Sequence, residues 1–177
     1  MSELGEQQER ILHDVVFDQV GTDFELGSVN KQQWHLAILR SGEGENERAL
    51  WLDYDSSGNH SHSDGMNLGL FAYGMDFLPD FGYPPVQFGG WDAPRARWYM
   101  TTAAHNTVVV DESNGSTGAR EVPWDGRLEL WEPDGQQAQV VSVNCPRTYP
   151  QTQVYQRTCA LVDLPGGGVI LPAVMEM

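Results

Sequence analysis

The sequence predicts an all-β fold, an antiparallel β-sandwich, and three observations carry that prediction. Short apolar runs rich in Leu, Val, Ile and aromatic residues recur along the chain and are bounded by turn residues. Nineteen glycines and ten prolines are spread through the sequence rather than clustered, as many short strands require. After residue 21 no helical pattern of ten or more residues separates one strand from the next, so strand follows strand and a parallel α/β arrangement is disfavoured.

Taken in order, the first segment stands apart. Leu4, Ile11, Leu12, Val15 and Val16 are at approximately helical spacing, which allows a short N-terminal helix, and residues 1–30 read as a linker or partial element before a sandwich domain over residues 31–177. From Trp34 to Arg40 the chain reads as a strand with apolar residues on both faces. A hydrophilic, glycine-containing turn over Ser41–Glu47 then leads into a second strand, Ala49–Tyr54, in the manner of a hairpin. Met66–Met75 is a third apolar run. Pro79–Pro94, broken repeatedly by proline and glycine, reads as a long surface loop, and loops of that length are usually functional. Further strands are expected at Thr107–Asp111, Arg127–Trp131, Gln139–Val143, Gln153–Val162 and Gly168–Val174.

Composition bounds the function. A chain of 177 residues suits one domain that buries roughly 70% of its unfolded surface. Hydrophobic content of 40%, with six each of Trp, Tyr and Phe, excludes disorder. A formal net charge of −15 argues against nucleic acid as a partner, because phosphate neutralisation needs a surplus of Lys and Arg. No run of about 18 apolar residues is present to span a membrane. Met1–Glu6 lacks the basic flank and apolar core of a signal peptide, and the chain stops in an apparent strand, so it reads as part of a longer protein. Cys145 and Cys159 leave both a disulfide and two free thiols open.

The chemistry concentrates between Asn59 and Glu112. His60 and His62 are two apart, so on a strand their imidazoles share a face, where both could ligate a metal or one could ligate while the other meets a substrate. A zinc site takes three or four N, O or S donors, and His, His and carboxylate is a common set. Asp80, fixed by Pro79, and His105 complete it best; Asp64 and Asp76 compete. His13 and His35 read as ordinary polar residues, one on a solvated helix and one on a half-buried strand.

As an ordered set these segments are far more specific than their parts. Asn59-His-Ser-His-Ser-Asp64, then Leu70-Phe-Ala-Tyr-Gly74, Leu78-Pro-Asp-Phe-Gly-Tyr83 and Thr102-Ala-Ala-His-Asn-Thr-Val-Val-Val-Asp111 resemble the heparinase II/III-like family of polysaccharide lyases, with agreement over about residues 30–170. The resemblance implies the antiparallel sandwich that in this family follows an N-terminal (α/α) toroid, which is missing here. It implies a mainly structural zinc ion on His62, Asp80 and His105, and a cleft-facing His60 taking part in the elimination. Acidic polysaccharide or oligosaccharide, heparin/heparan-like or alginate-like, would be the ligand, and the toroid the partner domain; a homodimer is compatible. Periplasmic or secreted location is usual for the family.

β-Elimination at a uronic acid requires a group to neutralise the carboxylate, a base for the C5 proton and an acid for the leaving O4 oxygen. His60 suits the base or acid, with Tyr83 as a phenolic partner. Arg95 and Arg97 form the best local basic patch, and Tyr99 offers a sugar platform. A metallophosphoesterase of the PHP type, which also opens on H-x-H, needs further ligands, and no histidine follows His105. A cupin needs a glutamate soon after H-x-H, where Gly65–Gly69 supplies none. The rival of a different class is a non-catalytic, zinc-stabilised carbohydrate-binding or structural sandwich.

Overall fold

The structure, a computed structural model, describes residues 26–54, 62–82, 89–116, 126–166, 169–170 and 173–177. Its strands form two antiparallel sheets. The first is a meander of β1 (Val29–Lys31), β2 (Leu36–Ser41), β3 (Arg48–Asp53), β4 (Asn67–Ala72) and β5 (Met75–Asp76), neighbours in that order. The second contains β6 (Arg127–Glu132), β7 (Ala138–Asn144), β8 (Gln156–Asp163), β9 (Val169–Ile170) and β10 (Ala173–Glu176), in the order β10-β8-β7-β6 with β9 also paired to β8.

The period-two alternation of side chains decides which face of each sheet turns inward. Ala37 and Leu39 of β2, Leu50 and Leu52 of β3 and Leu68 of β4 are buried, and they belong to the same core as Val141 and Val143 of β7 and Cys159 and Leu161 of β8. Burying each such leucine contributes about 1.5–3 kcal/mol. Tyr149 and Tyr155 extend this core as an edge-on pair with ring centroids 5.0 Å apart. On the outer face, Trp51 lies across Gly69, its cross-strand partner. A Cβ at Gly69 would stand 1.9 Å from the indole, so only glycine permits that contact.

Polar contacts fasten both ends of the sandwich, and β8 supplies a residue to each. At one end Asp163 accepts from Ser41 Oγ at 2.9 Å and from Arg48 Nη1 at 3.0 Å. At the other, the partly buried guanidinium of Arg157 donates to the carbonyls of Met66 and Asn106, tying the second sheet to the loops beside β4.

Several sequence expectations are corrected. Trp34 does not open a strand: Gln32–Trp34 is a 3-10 turn closed by His35 in the left-handed region, φ 50°, and β2 begins at Leu36. Thr107–Asp111 is irregular, with one isolated bridge from Val110 to Ser113. The left-handed Asp111 and Glu112 turn the chain there, and Thr107 and Val108 are held by Gly65 and Tyr155 instead of by a ladder. The last expected strand is divided into β9 and β10. Pro94, at the end of the expected loop, starts a six-residue helix, α1 (Pro94–Tyr99), for which proline in the first turn was the available signal. Cys145 and Cys159 are free, buried thiols. The expected N-terminal helix and His13 lie outside the described residues.

Burial pushes the Tyr155 hydroxyl up to about 12 and the Cys159 thiol up to about 11. Both groups stay protonated in the fold when the unfolded chain ionises. Their contribution is therefore complete below the ordinary thiol and phenol range and is lost as pH rises through the folded values. Urea unfolding is expected to give a steady midpoint between pH 7 and 8, falling above about pH 9, and Tyr155→Phe should flatten the upper part of that decline.

Candidate metal centre

The site is assembled from three segments that meet beside the first half of β4. The first is the run from His62 into a turn at Asp64–Asn67, closed by the Asn67 N–H donating to the Asp64 carbonyl at 3.0 Å. Met66, within that turn, is buried and left-handed at φ 66°, a conformation that costs a non-glycine residue roughly 1–2 kcal/mol. It is held there from outside, since Arg157 bonds its carbonyl and Thr107 Oγ1 bonds that of Gly65 at 2.8 Å.

The second segment is the Pro79–Gly82 turn. Asp80 Oδ1 accepts the Gly82 N–H at 2.8 Å, with Gly82 left-handed at φ 52°, and Oδ2 accepts the Asn67 amide at 2.7 Å. The third runs from α1 through a 3-10 turn, Thr102–Ala104, to His105 and Asn106. Asn106 takes the place of β5 beside the start of β4: its carbonyl accepts from Leu68 N at 3.2 Å and its N–H donates to Asn67 Oδ1 at 2.9 Å.

His105, buried, stands between two acceptors. Its Nδ1 is 2.7 Å from Asp80 Oδ2 and its Nε2 is 2.9 Å from the Tyr99 carbonyl. A backbone carbonyl only accepts, so Nε2 carries a proton, and the Asp80 carboxylate beside Nδ1 favours a proton there as well. Electrostatics agree. Burial alone would lower the His105 pKa, but the hydrogen bond and charge of Asp80, the charge of Asp64 and the Tyr99 carbonyl raise it. Burial would raise that of Asp80, and the bonds from His105, Gly82 and Asn67 bring it below the usual carboxylate range.

His62 lies against this pair, its ring centroid 5.2 Å from that of His105. His62, Asp64 and His105 each present a ligand atom within 4.8 Å of the other two. The structure thus brings His62, Asp80 and His105 to one place, with Asp80 reached through the His105 hydrogen bond, and adds Asp64, which the sequence left as a competitor. Two imidazoles and the Asp64 carboxylate fit a divalent metal in donor chemistry, with Asp80 outside that group and bonded to the His105 ring, provided a ring nitrogen of His105 is free of its proton.

Around this group runs an aromatic rim. Phe81, half exposed, stacks on Tyr99 with centroids 5.0 Å apart, and the Arg95 guanidinium lies 5.9 Å from the Tyr99 ring. Arg97 pairs with Asp92 at 3.1 Å on the surface. His60 and Tyr83 lie outside the described residues. Asn67, Asn106 and Phe81 were missed by the sequence reading. The available signal for Asn67 was a poor strand former heading an apolar run.

The sequence profile described as heparinase II/III-like, C-terminal matches residues 27–168. The chain belongs to this family. Among curated relatives, an exo-oligoalginate lyase of Saccharophagus degradans is 38% identical over 89 residues, covering 46% of this chain and 12% of that protein. An alginate lyase of Stenotrophomonas maltophilia is 27% identical over 98% of this chain and 26% of its own length. The heparinase II/III-like domain described here therefore spans about a quarter or less of either relative. Among solved structures, a heparinase III superposes with a TM-score of 0.63 at 18% identity, covering 89% of this chain and 24% of that one. The heparan sulfate lyase of Pedobacter heparinus gives 0.61 at 22% identity, with the same coverages. Those likenesses establish the sandwich fold.

Asn67 touches none of the ring nitrogens, yet it orients Asp80 and Asn106 together. Asn67→Ala is expected to weaken divalent metal binding about 10–100-fold, measured by competition with a chromophoric chelator, while leaving a folded sandwich.

Proposed function

We propose that this domain is the sandwich half of a polysaccharide lyase that cleaves uronic-acid-containing polysaccharide by β-elimination. The observation that carries the reading is the convergence of His62, His105 and Asp80 from three distant segments, His62 being the second histidine of the H-x-H. Family membership supports it, and the two alginate lyase relatives support it and favour an alginate-like uronan.

In this reading zinc is held by His62 and His105 with Asp80, and with Asp64 as the further carboxylate. When bound it supplies a fixed positive charge that crosslinks the three segments. The chain's own residues do the rest. His60, two residues before a ligand in sequence, is assigned the proton at C5 or at the leaving O4 oxygen. Tyr83 is assigned the complementary proton. Phe81 and Tyr99 offer ring faces to the sugar, and Arg95, lying on Tyr99, offers a cation to a uronate carboxylate. Neutralisation of the carboxylate at the reacting sugar is assigned to the toroid, for which no residue here is a candidate.

Elemental analysis should find about one zinc per chain. His62→Ala, Asp80→Ala and His105→Ala should each lose it together with several kcal/mol of stability, and binding should release protons. His60→Ala should keep its zinc; equal loss there would reverse the roles within H-x-H. The isolated 177 residues are expected to bind zinc yet produce little unsaturated uronate, read as ultraviolet absorbance during incubation with alginate. Robust turnover would refute this division of the active site and place the whole reaction within the sandwich.

A further inference from the structure

A second feature of the surface lies at the opposite edge of the first sheet. Asn30, Lys31, Gln32, Gln33 and Trp34 line an open cavity of about 420 Å³, within the size range of small-molecule sites. Trp34 is 68% exposed, the highest value among the exposed large apolar side chains of the described residues. It is not a loose side chain. The 3-10 turn ends in left-handed His35, whose N–H bonds back to Gln32, and the Lys31 ammonium sits 5.0 Å from the indole centroid. Beneath the turn, Asn30 Oδ1 accepts from the Tyr54 hydroxyl at 2.8 Å, while its Nδ2 is buried with no hydrogen-bond partner. Asn30 thus anchors the base of the turn to the core tyrosine and leaves Lys31, Gln32, Gln33 and Trp34 to face the cavity.

These groups select a ligand by chemistry. An exposed indole face takes the flat C–H face of a pyranose, the amides of Gln32 and Gln33 offer donors and acceptors to hydroxyls, and the ammonium offers a partner to a carboxylate. A protein face of ordinary apolar character would desolvate two amides and a lysine for a single indole, which is unfavourable.

Register places this cavity in line with the metal centre. Lys31 pairs with Leu36, Leu36 with Asp53 and Asp53 with Asn67, so the four side chains share one face and one row across the sheet. Asn67 is the residue bonded to Asp80. The row covers three strand spacings, roughly 14 Å, a span that an oligosaccharide of a few residues crosses. Asp53, in the middle of the row, disfavours a carboxylate there and leaves the anion preference to the Lys31 end.

We infer that the Trp34 cavity is an auxiliary subsite for an acidic sugar unit of the same chain whose cleavage is proposed above, on which reading the identity of the sugar rests. Titration calorimetry of the chain with a hexameric oligouronate and with a neutral hexasaccharide tests it. The parent should bind the uronate more tightly. Trp34→Ala should weaken that binding roughly tenfold or more, a change of about 1.4 kcal/mol, with thermal stability unchanged. Lys31→Ala should abolish the preference for uronate over neutral sugar. His62→Ala should keep the Trp34-dependent binding. The subsite is overturned if Trp34→Ala and Lys31→Ala titrate like the parent, or if the parent binds no uronate. It is also overturned if only His62→Ala loses binding, an outcome that leaves the lyase reading standing. A parent that sediments as a dimer while Trp34→Ala sediments as a monomer assigns the face to a second copy and likewise overturns it.

Discussion

The geometry of the site depends on one carboxylate. Asp80 collects the His105 ring, the Asn67 amide and the Gly82 N–H on two oxygens, and hydrogen bonds to a charged group contribute about 1.5–3 kcal/mol each. Through Asn67 the same carboxylate is coupled to the Asn106 backbone, and Asn106 in turn bonds the carbonyls of Leu78 and Pro79 with its side chain. The loop is closed: the turn that presents Asp80 is held by the residue next to the histidine that Asp80 holds. Because each member is positioned by the others, loss of one donor leaves several partly buried polar groups unmatched, and the segments separate together.

The network is fastened to the sandwich by a single cation. Arg157 projects from β8 and donates to Met66 and Asn106, one carbonyl from each of two site segments. Burial lowers its pKa, yet an arginine remains charged, so its desolvation is offset by oriented carbonyl dipoles. The opposite end of β8 carries Asp163, which receives Arg48 and Ser41 from the first sheet. One strand therefore sets the separation of the two sheets at both ends. The hydrophobic core between them, Leu39, Leu52, Val141 and Leu161 among others, reaches the site through Arg157 as well as through β4.

This arrangement explains which parts were legible in the sequence. Strands β2, β3 and β8 bury alternating side chains, and alternation is local information; β6 and β7 were legible from their apolar runs, although β7 buries three residues in succession and β6 none. That Asp80 meets His105 was legible only by resemblance, because nothing in their spacing brings residues 25 apart to 2.7 Å. The failures share a cause. Trp34 and the valines at 108–110 look like strand residues by propensity, but His35, Asp111 and Glu112 adopt left-handed backbone that tertiary contacts impose and non-glycine residues do not advertise. Asn67 and Asn106 look like loop punctuation and act as connectors, since an asparagine amide can donate and accept at once.

Net charge poses the remaining question, because a chain of −15 is proposed to engage a polyanion. Field strength at a binding surface is decided locally, since at physiological salt charges more than about 8 Å away in solvent are largely screened. Among the described residues, two cations that face aromatic rings are placed accordingly. Arg95 lies on Tyr99, whose carbonyl bonds His105, and Lys31 lies on Trp34 at the far end of the Asn67 row. Each ring holds its cation near a surface that a sugar can stack on, so a uronate unit meets an apolar face and an opposite charge together. On the proposed reading, the acidic remainder would repel a polyanion at short range elsewhere on the surface and so confine binding to these places. In this view the negative charge contributes selectivity of placement, and stacking contributes most of the affinity.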